Sequence, residues 1–492
     1  MGCNDTTGVV DERFLGTCTS TVRIRKLSGR SPSGLDQINA NSWVSLERTA
    51  LDALKPPVRC NKDEKEFTMK LGFVSLPFTG HLNPMATLAR KMRTRGHEVV
   101  FIGIPDIELT IRAAGLTFIP YCENEFPVGS LDKYLAPISR LHGLAAVQNT
   151  NLHLTPGLAK AAFEHLPRLI KEIRVEALVI DTLHRFLELI PMSLDIPCVH
   201  IWNILHIDGT GATPPCIYDW PHQDTPEARA RNLEGLKKLG SIASSSLDLA
   251  KAYAEKSGLQ IDWTNPATAV PRLAVITQTP KEFDFPGTPW PPQFHYAGPF
   301  HESEGHAFIP FAWEKLNGKP LIYASLGSLV NGLDHVYKVI LEAVGKLPEV
   351  QVVLSIGTNI NPDRLEPIPP NTIVVRRAPQ IELLKRAALC ITHAGLNTTL
   401  ESLAQGVPMV AIPIAFDQPG VSARIAHHDV GEFVDLDDLS ADSLLELIQK
   451  VLANPSYARR AHYFKEVIAK THGLDIATDL IERAFQKASM EK

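Results

Sequence analysis

The stretch that decides the fold is residues 377–418, which read RAPQIELLKRAALCITHAGLNTTLESLAQGVPMVAIPIAFDQ. Residues 389–392 form an apolar run of the kind found in strands that are buried on both faces. A turn containing glycine follows, and then a helical pattern that ends at Gly406. Such a strand, turn and helix leave backbone N–H groups at the positive end of a helix dipole. The segment therefore predicts an α/β fold with a phosphate-binding turn.

Polar side chains in this stretch are of types that bind phosphate and sugar hydroxyls. His393 and Thr398 can donate hydrogen bonds to phosphate oxygens, and Glu401, on the following helix, can accept hydrogen bonds from ribose hydroxyls. Asp417 and Gln418 follow the next apolar run, and a carboxylate beside an amide suits the hydroxyls of a hexose. Helix capping alone explains any one of these residues, but it does not explain the whole set.

Apolar runs alternate with helical patterns on both sides of this stretch, from Met69 onward. The predicted buried strands of the first half are residues 70–77, 98–104, 177–180, 198–202 and 273–277. Those of the second half are residues 321–325, 350–356, 372–375, 389–392 and 409–412. After the first strand, Asn83 is expected to cap a helix that has Pro84 at its first position. Strands separated by helices pair in parallel.

Two facing, Rossmann-like, doubly wound parallel-sheet domains of the α/β class are therefore predicted, over residues 69–300 and 320–455. Residues 301–319 carry proline, glycine and charge without periodicity and are expected to be the linker between them. Residues 456–492 are expected to form a C-terminal helix that packs back across the interface. Residues 1–68 show no sustained periodicity and are expected to be a disordered leader.

Composition excludes several classes of protein. The 492 residues include 49 Lys and Arg against 54 Asp and Glu, a net charge of −5, which argues against nucleic acid as the main partner. No apolar run approaches the roughly 18 to 20 residues of a membrane span. The 7 cysteines contain no CxxC pair, which favours a reducing, cytoplasmic compartment. Two alternatives concern the N-terminus: the start MGCNDT fits an N-myristoylation pattern at Gly2, or Met69 is the natural start.

The segment 377–418 resembles the C-terminal signature of GT-B nucleotide-sugar-dependent glycosyltransferases, the UDP-glycosyltransferase family. It is most like the bacterial branch of zeaxanthin glucosyltransferase and macrolide glycosyltransferase-type members. The matching positions are Ala378, Pro379, Gln380, His393, Gly395, Asn397, Thr398, Glu401, Gly406, Val407, Pro408, Asp417 and Gln418. The resemblance runs from Met69 to the C-terminus and leaves out residues 1–68.

The resemblance implies a set of donor-binding residues. It assigns the diphosphate to His393, Gly395, Asn397, Thr398 and Ser328, the ribose to Glu401, the nucleoside to Gln380, and the hexose to Asp417 and Gln418. Two positions depart from the pattern of many plant members. Arg377 stands where they have a tryptophan stacked on uracil, and Leu396 also replaces a tryptophan. A guanidinium plane also stacks on a base, so UDP is expected but the nucleotide stays open.

His81 and Asp181 are the expected catalytic pair. Each follows or ends a predicted strand, and taken alone a structural histidine and a helix cap explain them as well. The spacing of 100 residues and the sequence Gly80-His81-Leu82-Asn83-Pro84 resemble the His–Asp pair of the family. A neutral imidazole can take the proton of an acceptor hydroxyl, and the carboxylate orients the ring and stabilises its charge.

The resemblance therefore implies an inverting transfer of a hexose, expected to be glucose, from a UDP-sugar to a hydroxyl of a lipophilic small molecule. The sequence shows no cluster of His and Cys ligands, so no metal and no cofactor are expected. Two alternatives stay open: a sugar-nucleotide epimerase of the same fold, and a nucleotide-sugar-binding protein that has lost activity. A nicotinamide-dependent oxidoreductase is disfavoured, because neither domain's first strand is followed by G-x-G-x-x-G.

Overall fold

The computed structural model of the chain describes residues 67–242, 244–264, 273–302 and 309–491. The Gly2 pattern and nearly all of the predicted leader at 1–68 lie outside these residues, as does part of the predicted linker. No helix in the described ranges is both long and apolar enough to cross a membrane.

The first sheet has seven parallel strands in the order β3-β2-β1-β4-β5-β6-β7. Its strands are β1 Lys70–Val74, β2 Glu98–Gly103, β3 Thr117–Pro120, β4 Ala177–Asp181, β5 Cys198–Trp202, β6 Val275–Thr277 and β7 Phe294–Tyr296. The helices around it are α1 Thr79–Thr94, α2 Glu108–Ala113, α3 Leu131–Ile138, α4 Gly143–Asn149, α5 Thr155–Glu172, α6 Leu189–Leu194, α7 Pro226–Ile242 and α8 Ser244–Lys256. A π-helical turn, Thr150–Leu154, joins α4 to α5.

The second sheet has six parallel strands in the order β10-β9-β8-β11-β12-β13. These are β8 Leu321–Ser325, β9 Gln351–Ser355, β10 Thr372–Val375, β11 Ala387–Thr392, β12 Met409–Ala411 and β13 Gly431–Phe433. The remaining helices are α9 Asp334–Gly345, α10 Gln380–Leu384, α11 Leu396–Gln405, α12 Gln418–His427, α13 Ala441–Ala453, α14 Pro455–Thr471 and α15 Gly473–Met490.

Both sheets reverse their winding direction at the first strand, and this positions the site. β1 pairs with both β2 and β4, and β8 pairs with both β9 and β11. Ligands of doubly wound sheets bind at the carboxyl ends of the strands beside such a reversal. The segments that follow β1, β4, β8 and β11 are therefore expected to form the ligand site. The predicted fold class, two doubly wound parallel sheets, is confirmed.

The first helix differs from the prediction at its N-terminus. It begins at Thr79 instead of at Asn83, so His81 lies in its first turn and Pro84 lies inside the helix. The proline has no backbone N–H, so the Gly80 carbonyl one turn earlier has no helical donor. Asn397 of the second domain supplies a donor to that carbonyl, with Nδ2 at 2.7 Å from the oxygen. The early start of α1 is thus coupled to a contact between the domains.

The single helix expected near the C-terminus is two helices. α14 ends at Thr471, and the next residue, His472, has a positive φ of 49° that interrupts the helix. Phe464 of α14 packs in the core of the second domain. Ile481 and Phe485 of α15 are fully buried in the core of the first domain. The chain therefore crosses back to the first domain between these two helices.

Candidate active site

His81 and Asp181 lie in direct contact at the carboxyl edge of the first sheet. β1 and β4 are adjacent strands; Asp181 is the last residue of β4 and His81 lies in the helical turn after β1. His81 Nδ1 lies 2.7 Å from Asp181 Oδ2, and both residues are buried. Because a carboxylate only accepts, Nδ1 carries the proton and Nε2 keeps its lone pair. Such a histidine can act as a base toward the cavity that it lines.

The Asp181 carboxylate is held ionised by four donors. Oδ2 accepts hydrogen bonds from Ser75 Oγ at 3.1 Å and Leu76 N at 3.2 Å as well as from His81, and Oδ1 accepts one from Leu183 N at 3.1 Å. Burial by itself raises the pKa of Asp181, but His81 and the backbone donors outweigh burial and lower it. The negative charge is therefore fixed in place beside the ring.

The same charge acts on the base. Burial by itself lowers the pKa of His81, but the Asp181 carboxylate, with a smaller contribution from Asp417, raises it above its usual value of 6.5. An imidazole in that range suits general base catalysis near neutral pH.

One cavity of about 560 Å³ lies between the two domains. It is lined by all the residues predicted from the sequence except Asp181, which lies fully buried behind His81: His81, Ser328, Gln380, His393, Gly395, Asn397, Thr398, Glu401, Asp417 and Gln418. The structure thus brings the predicted catalytic and donor residues together, while their individual roles stay predictions.

The turn after β11 has the features of an anion site. A Cβ on either Gly327 or Gly395 would lie 2.5 Å from Nε2 of His393, so the ring fits between two glycines. Nδ1 of His393 has no hydrogen-bond partner among the described residues, and burial lowers the pKa of this histidine to about 4. The first turn of α11, from Leu396, adds backbone N–H groups that have no partner within the helix. A buried polar atom beside free N–H groups favours an anionic ligand.

Gln380 supports Glu401. Its Nε2 donates to Glu401 Oε2 at 2.5 Å and to Thr398 Oγ1 at 3.3 Å, and its Oε1 accepts from the Tyr323 hydroxyl at 2.9 Å. Both ends of the amide are therefore engaged inside the protein. Gln380 lines the cavity, but in this arrangement its polar atoms orient the carboxylate predicted for the ribose.

The side chains of Asp417 and Gln418 also make hydrogen bonds within the protein. Asp417 Oδ2 accepts from Leu205 N of the first domain at 2.9 Å, and burial raises the pKa of Asp417. The Gln418 side-chain oxygen accepts from the backbone N–H groups of Ile414 and Ala415 at 2.8 and 2.9 Å. These bonds fix the turn before α12 at the edge of the cavity.

The sequence did not predict Gln278, which joins the two domains beside the site, whereas Asn203 was one of several residues that could line an acceptor pocket or belong to packed loops. Gln278 Nε2 donates to Asn397 Oδ1 at 2.9 Å and to the Asn203 carbonyl at 3.0 Å. Gln278 follows β6 and Asn203 follows β5 directly, so the rule that ligand-binding residues follow strand ends was the available signal. Arg185, in the loop after β4, also lines the cavity and was not predicted.

A buried ion pair lies on the far side of α12. Arg424 Nε and Nη2 lie 3.1 and 2.6 Å from Asp284 Oδ1, and His206 Nε2 and the Tyr296 hydroxyl lie 2.7 and 2.5 Å from Oδ2. Burial by itself raises the pKa of Asp284, but His206 and Arg424 outweigh it and lower the pKa. This network ties α12, which begins at Gln418, to the first domain.

One group of residues has the spacing of metal ligands in the described parts of the chain. Glu125, Glu164 and His165 bring one potential ligand atom each within 4.8 Å of one another. The two glutamates are exposed, and none of the three residues lines the cavity.

Comparison with known proteins agrees with the resemblance seen in the sequence. The family model for "UDP-glucoronosyl and UDP-glucosyl transferase" matches residues 249–471. Zeaxanthin glucosyltransferase of Pantoea ananas is 26% identical over 416 residues, 84% of this chain and 95% of that protein. NDP-glycosyltransferase YjiC of Bacillus subtilis is 24% identical over 431 residues, 85% and 98% of the two chains. The solved structure of the kitacinnamycin glycosyltransferase superposes with a TM-score of 0.66 at 23% identity and covers 85% of this chain and 100% of its own. The resemblance inferred from the sequence and the GT-B fold are confirmed.

Proposed function

We propose that this chain, a glycosyltransferase of the UDP-glycosyltransferase family, is an inverting hexosyltransferase that moves glucose from UDP-glucose to a hydroxyl of a lipophilic small molecule. The observation that carries the proposal is the contact of 2.7 Å between His81 and Asp181 at the edge of a cavity that also contains the helix terminus at 395–398. A base for the acceptor and an anion site for the leaving group face the same space.

The proposed reaction is a direct displacement at the anomeric carbon. As the acceptor oxygen bonds to that carbon, its proton passes to Nε2 of His81 and the bond from carbon to the phosphate oxygen breaks. Asp181 stabilises the imidazolium that forms. Attack from the face opposite the leaving group converts an α-linked donor into a β-linked product.

The leaving diphosphate is proposed to bind at the first turn of α11. Unpaired N–H groups at a helix N-terminus stabilise negative charge as it develops. His393 and Ser328 line the same cavity. These groups make a metal ion unnecessary for the leaving group, so the reaction is proposed to need no metal.

The rest of the donor is proposed to extend along the second domain. Glu401, oriented by Gln380, binds the ribose hydroxyls, and Arg377 stacks on the base. Asp417 and Gln418 are proposed to contact the hexose. Glucose is proposed as the sugar because the name of one relative specifies a glucosyltransferase.

The acceptor is proposed to bind against the first domain. Its part of the cavity includes eight large apolar side chains: Leu76, Phe78, Val147, Leu183, Ile204, Ile207, Ile217 and Leu239. Apolar side chains interspersed with polar ones suit a hydroxylated lipophile such as a carotenoid, polyketide or flavonoid. The protein is proposed to be cytoplasmic, because its cysteines show no pairing pattern in the sequence.

The test is nucleotide release with UDP-glucose, with and without a panel of hydroxylated carotenoids, macrolides and flavonoids, in buffer containing EDTA. We expect release that depends on an acceptor and persists in EDTA.

His81→Ala should lower turnover about 100- to 10,000-fold with donor affinity similar. The matched control is His165→Ala, at a histidine that pairs with Glu125 outside the cavity. Wild-type turnover in His81→Ala contradicts the assignment. Donor binding with no release in the wild-type protein supports a binding protein, and sugar conversion without an acceptor supports an epimerase.

A further inference from the structure

The acceptor side of the cavity is lined by polar as well as apolar side chains, and several of the polar ones are already hydrogen-bonded within the protein. Thr150 Oγ1 donates to the Ala146 carbonyl at 2.9 Å, and Asn151 Nδ2 donates to the Val147 carbonyl at 2.8 Å. Both lie in the π-helical turn between α4 and α5. These donors satisfy the irregular helix, so they do not account for acceptor recognition.

Asn203 differs from these residues. It is 2% exposed, it lines the cavity, and neither Nδ2 nor Oδ1 has a hydrogen-bond partner among the described residues. Its position is fixed, because it follows β5 directly and its carbonyl accepts from Gln278 Nε2 at 3.0 Å. A buried amide with no partner, held rigidly at a cavity wall, indicates a ligand that completes its hydrogen bonds.

Arg185 supplies a positive charge to the same cavity. It is partly buried, lies four residues after Asp181, and makes no hydrogen bond or ion pair with another described residue. Burial lowers its pKa, although the guanidinium remains charged in the physiological range. Two nearby ionisable groups, Cys216 and Glu188, affect the pKa of Arg185. Burial raises the pKa of the Cys216 thiol to about 12, so it is neutral, and Glu188 lies 3.8 Å from His200.

We propose that Arg185 and Asn203 together bind a carboxylate of the acceptor, so that the natural acceptor is a hydroxylated lipophile that also carries a carboxylic acid. A guanidinium binds a carboxylate through two parallel hydrogen bonds, and the Asn203 amide can donate to one of its oxygens. Both residues belong to the first domain, whereas the residues predicted for the donor belong to the second. The inference rests on the proposed function, since it assumes that the acceptor hydroxyl reaches His81.

The experiment compares acids with their methyl esters as acceptors of glucose from UDP-glucose. The probes are 6-hydroxy-2-naphthoic acid, 4-hydroxycinnamic acid and 12-hydroxyoctadecanoic acid, each with its ester, so that three spacings between hydroxyl and carboxylate are sampled. For at least one pair we expect kcat/KM of the wild-type protein to be about 10- to 100-fold higher for the acid, the range of a hydrogen bond to a charged group. Arg185→Gln should remove that preference, so that this variant uses the acid and its ester with similar kcat/KM. Asn203→Ala should reduce the preference in part.

The control is Arg168→Gln, at an exposed arginine of α5, which should keep the preference. Equal use of acid and ester in all three pairs by the wild-type protein overturns the inference. So does an Arg185→Gln variant that keeps the preference and instead raises the KM for UDP-glucose, because Arg185 would then serve the donor. Circular dichroism establishes that each variant is folded.

Binding separates this inference from the proposed function. The intrinsic fluorescence of the naphthol probes measures their binding without any transfer. Binding that favours the acid in the wild-type protein and not in Arg185→Gln, with no glucoside formed from any probe, contradicts the proposed transfer and supports the carboxylate site. Glucoside formation from acid and ester at equal rates supports the transfer and overturns the carboxylate site.

Discussion

Replacing Asp181 by asparagine removes the negative charge beside His81 and keeps nearly the same volume. The carboxylate accepts from four donors, three at Oδ2 and one at Oδ1. The least costly orientation of the new amide turns its NH₂ group toward the Leu183 N–H and keeps its oxygen toward the other three donors. One unpaired buried contact costs about 1–3 kcal/mol, so Asp181→Asn is expected to fold with His81 in the same tautomer.

The expected loss of activity comes from the lost charge. At about 4 Å and an effective dielectric constant of about 20, a unit charge pair contributes about 4 kcal/mol. If half of the imidazolium charge has developed in the transition state, Asp181→Asn loses about 2 kcal/mol, which is about a 30-fold decrease in kcat/KM; full development gives about 1000-fold. The decrease is expected to lie between these limits.

The pH dependence of kcat/KM shows in which direction Asp181 shifts the pKa of His81. Below its pKa the His81 ring is protonated and cannot accept a proton, so kcat/KM falls as the pH falls through that value. In the wild-type protein the pKa is raised, so the fall begins above pH 6.5. Without the carboxylate the lowering effect of burial is no longer outweighed, and the fall moves to lower pH. Steady-state kinetics from pH 5 to 9 measure both effects, with Asp132→Asn on the exposed face of α3 as the control. A decrease in kcat/KM of less than about 3-fold, or a fall at the same pH in both proteins, refutes the role of Asp181.

Three further substitutions test the site and its frame. Gly395→Ala places a Cβ 2.5 Å from His393 Nε2 and should raise the donor KM about 10- to 100-fold without changing the acceptor KM; an unchanged donor KM contradicts the phosphate site. Asp284→Asn leaves Arg424 buried beside a neutral group and should lower the free energy of unfolding by about 3–5 kcal/mol in urea titrations; wild-type stability would show that the ion pair is dispensable. Asn397→Ala removes a hydrogen bond of 2.7 Å between the domains and should raise the KM of both donor and acceptor about 5-fold. A change in the KM of the acceptor alone would contradict a role of this bond in holding the two domains together around both substrates.

The central strands were predictable because burial on both faces requires continuous apolar runs. β1, β4, β8 and β11 are such runs, and the pairing of β1 with β4 brings His81 to Asp181 across 100 residues of sequence. The strands that the sequence did not reveal are β3, β7 and β13, which all lie at sheet edges and have three or four residues. An edge strand is covered on one side only, so a short and mixed sequence is sufficient there.

Contacts between segments that are distant in the sequence could not be predicted from it. Nothing in the residues near Pro84 shows that α1 begins five residues earlier or that Asn397 bonds to the freed Gly80 carbonyl. The engagement of Gln380 by Glu401 likewise depends on two segments that meet only in the folded chain. Spacing and residue type predict which side chains gather at a strand end, whereas packing decides which of their atoms remain available to a ligand.

Direct displacement at the anomeric carbon, with His81 as the base, determines the configuration of the product. The most direct test is the configuration of the product formed from UDP-α-glucose and an accepted hydroxyl compound, read from the coupling constant of the anomeric proton by nuclear magnetic resonance. A single displacement predicts a β-glucoside. An α-glucoside would contradict the mechanism, because retention requires a second displacement or attack from the same face as the leaving group.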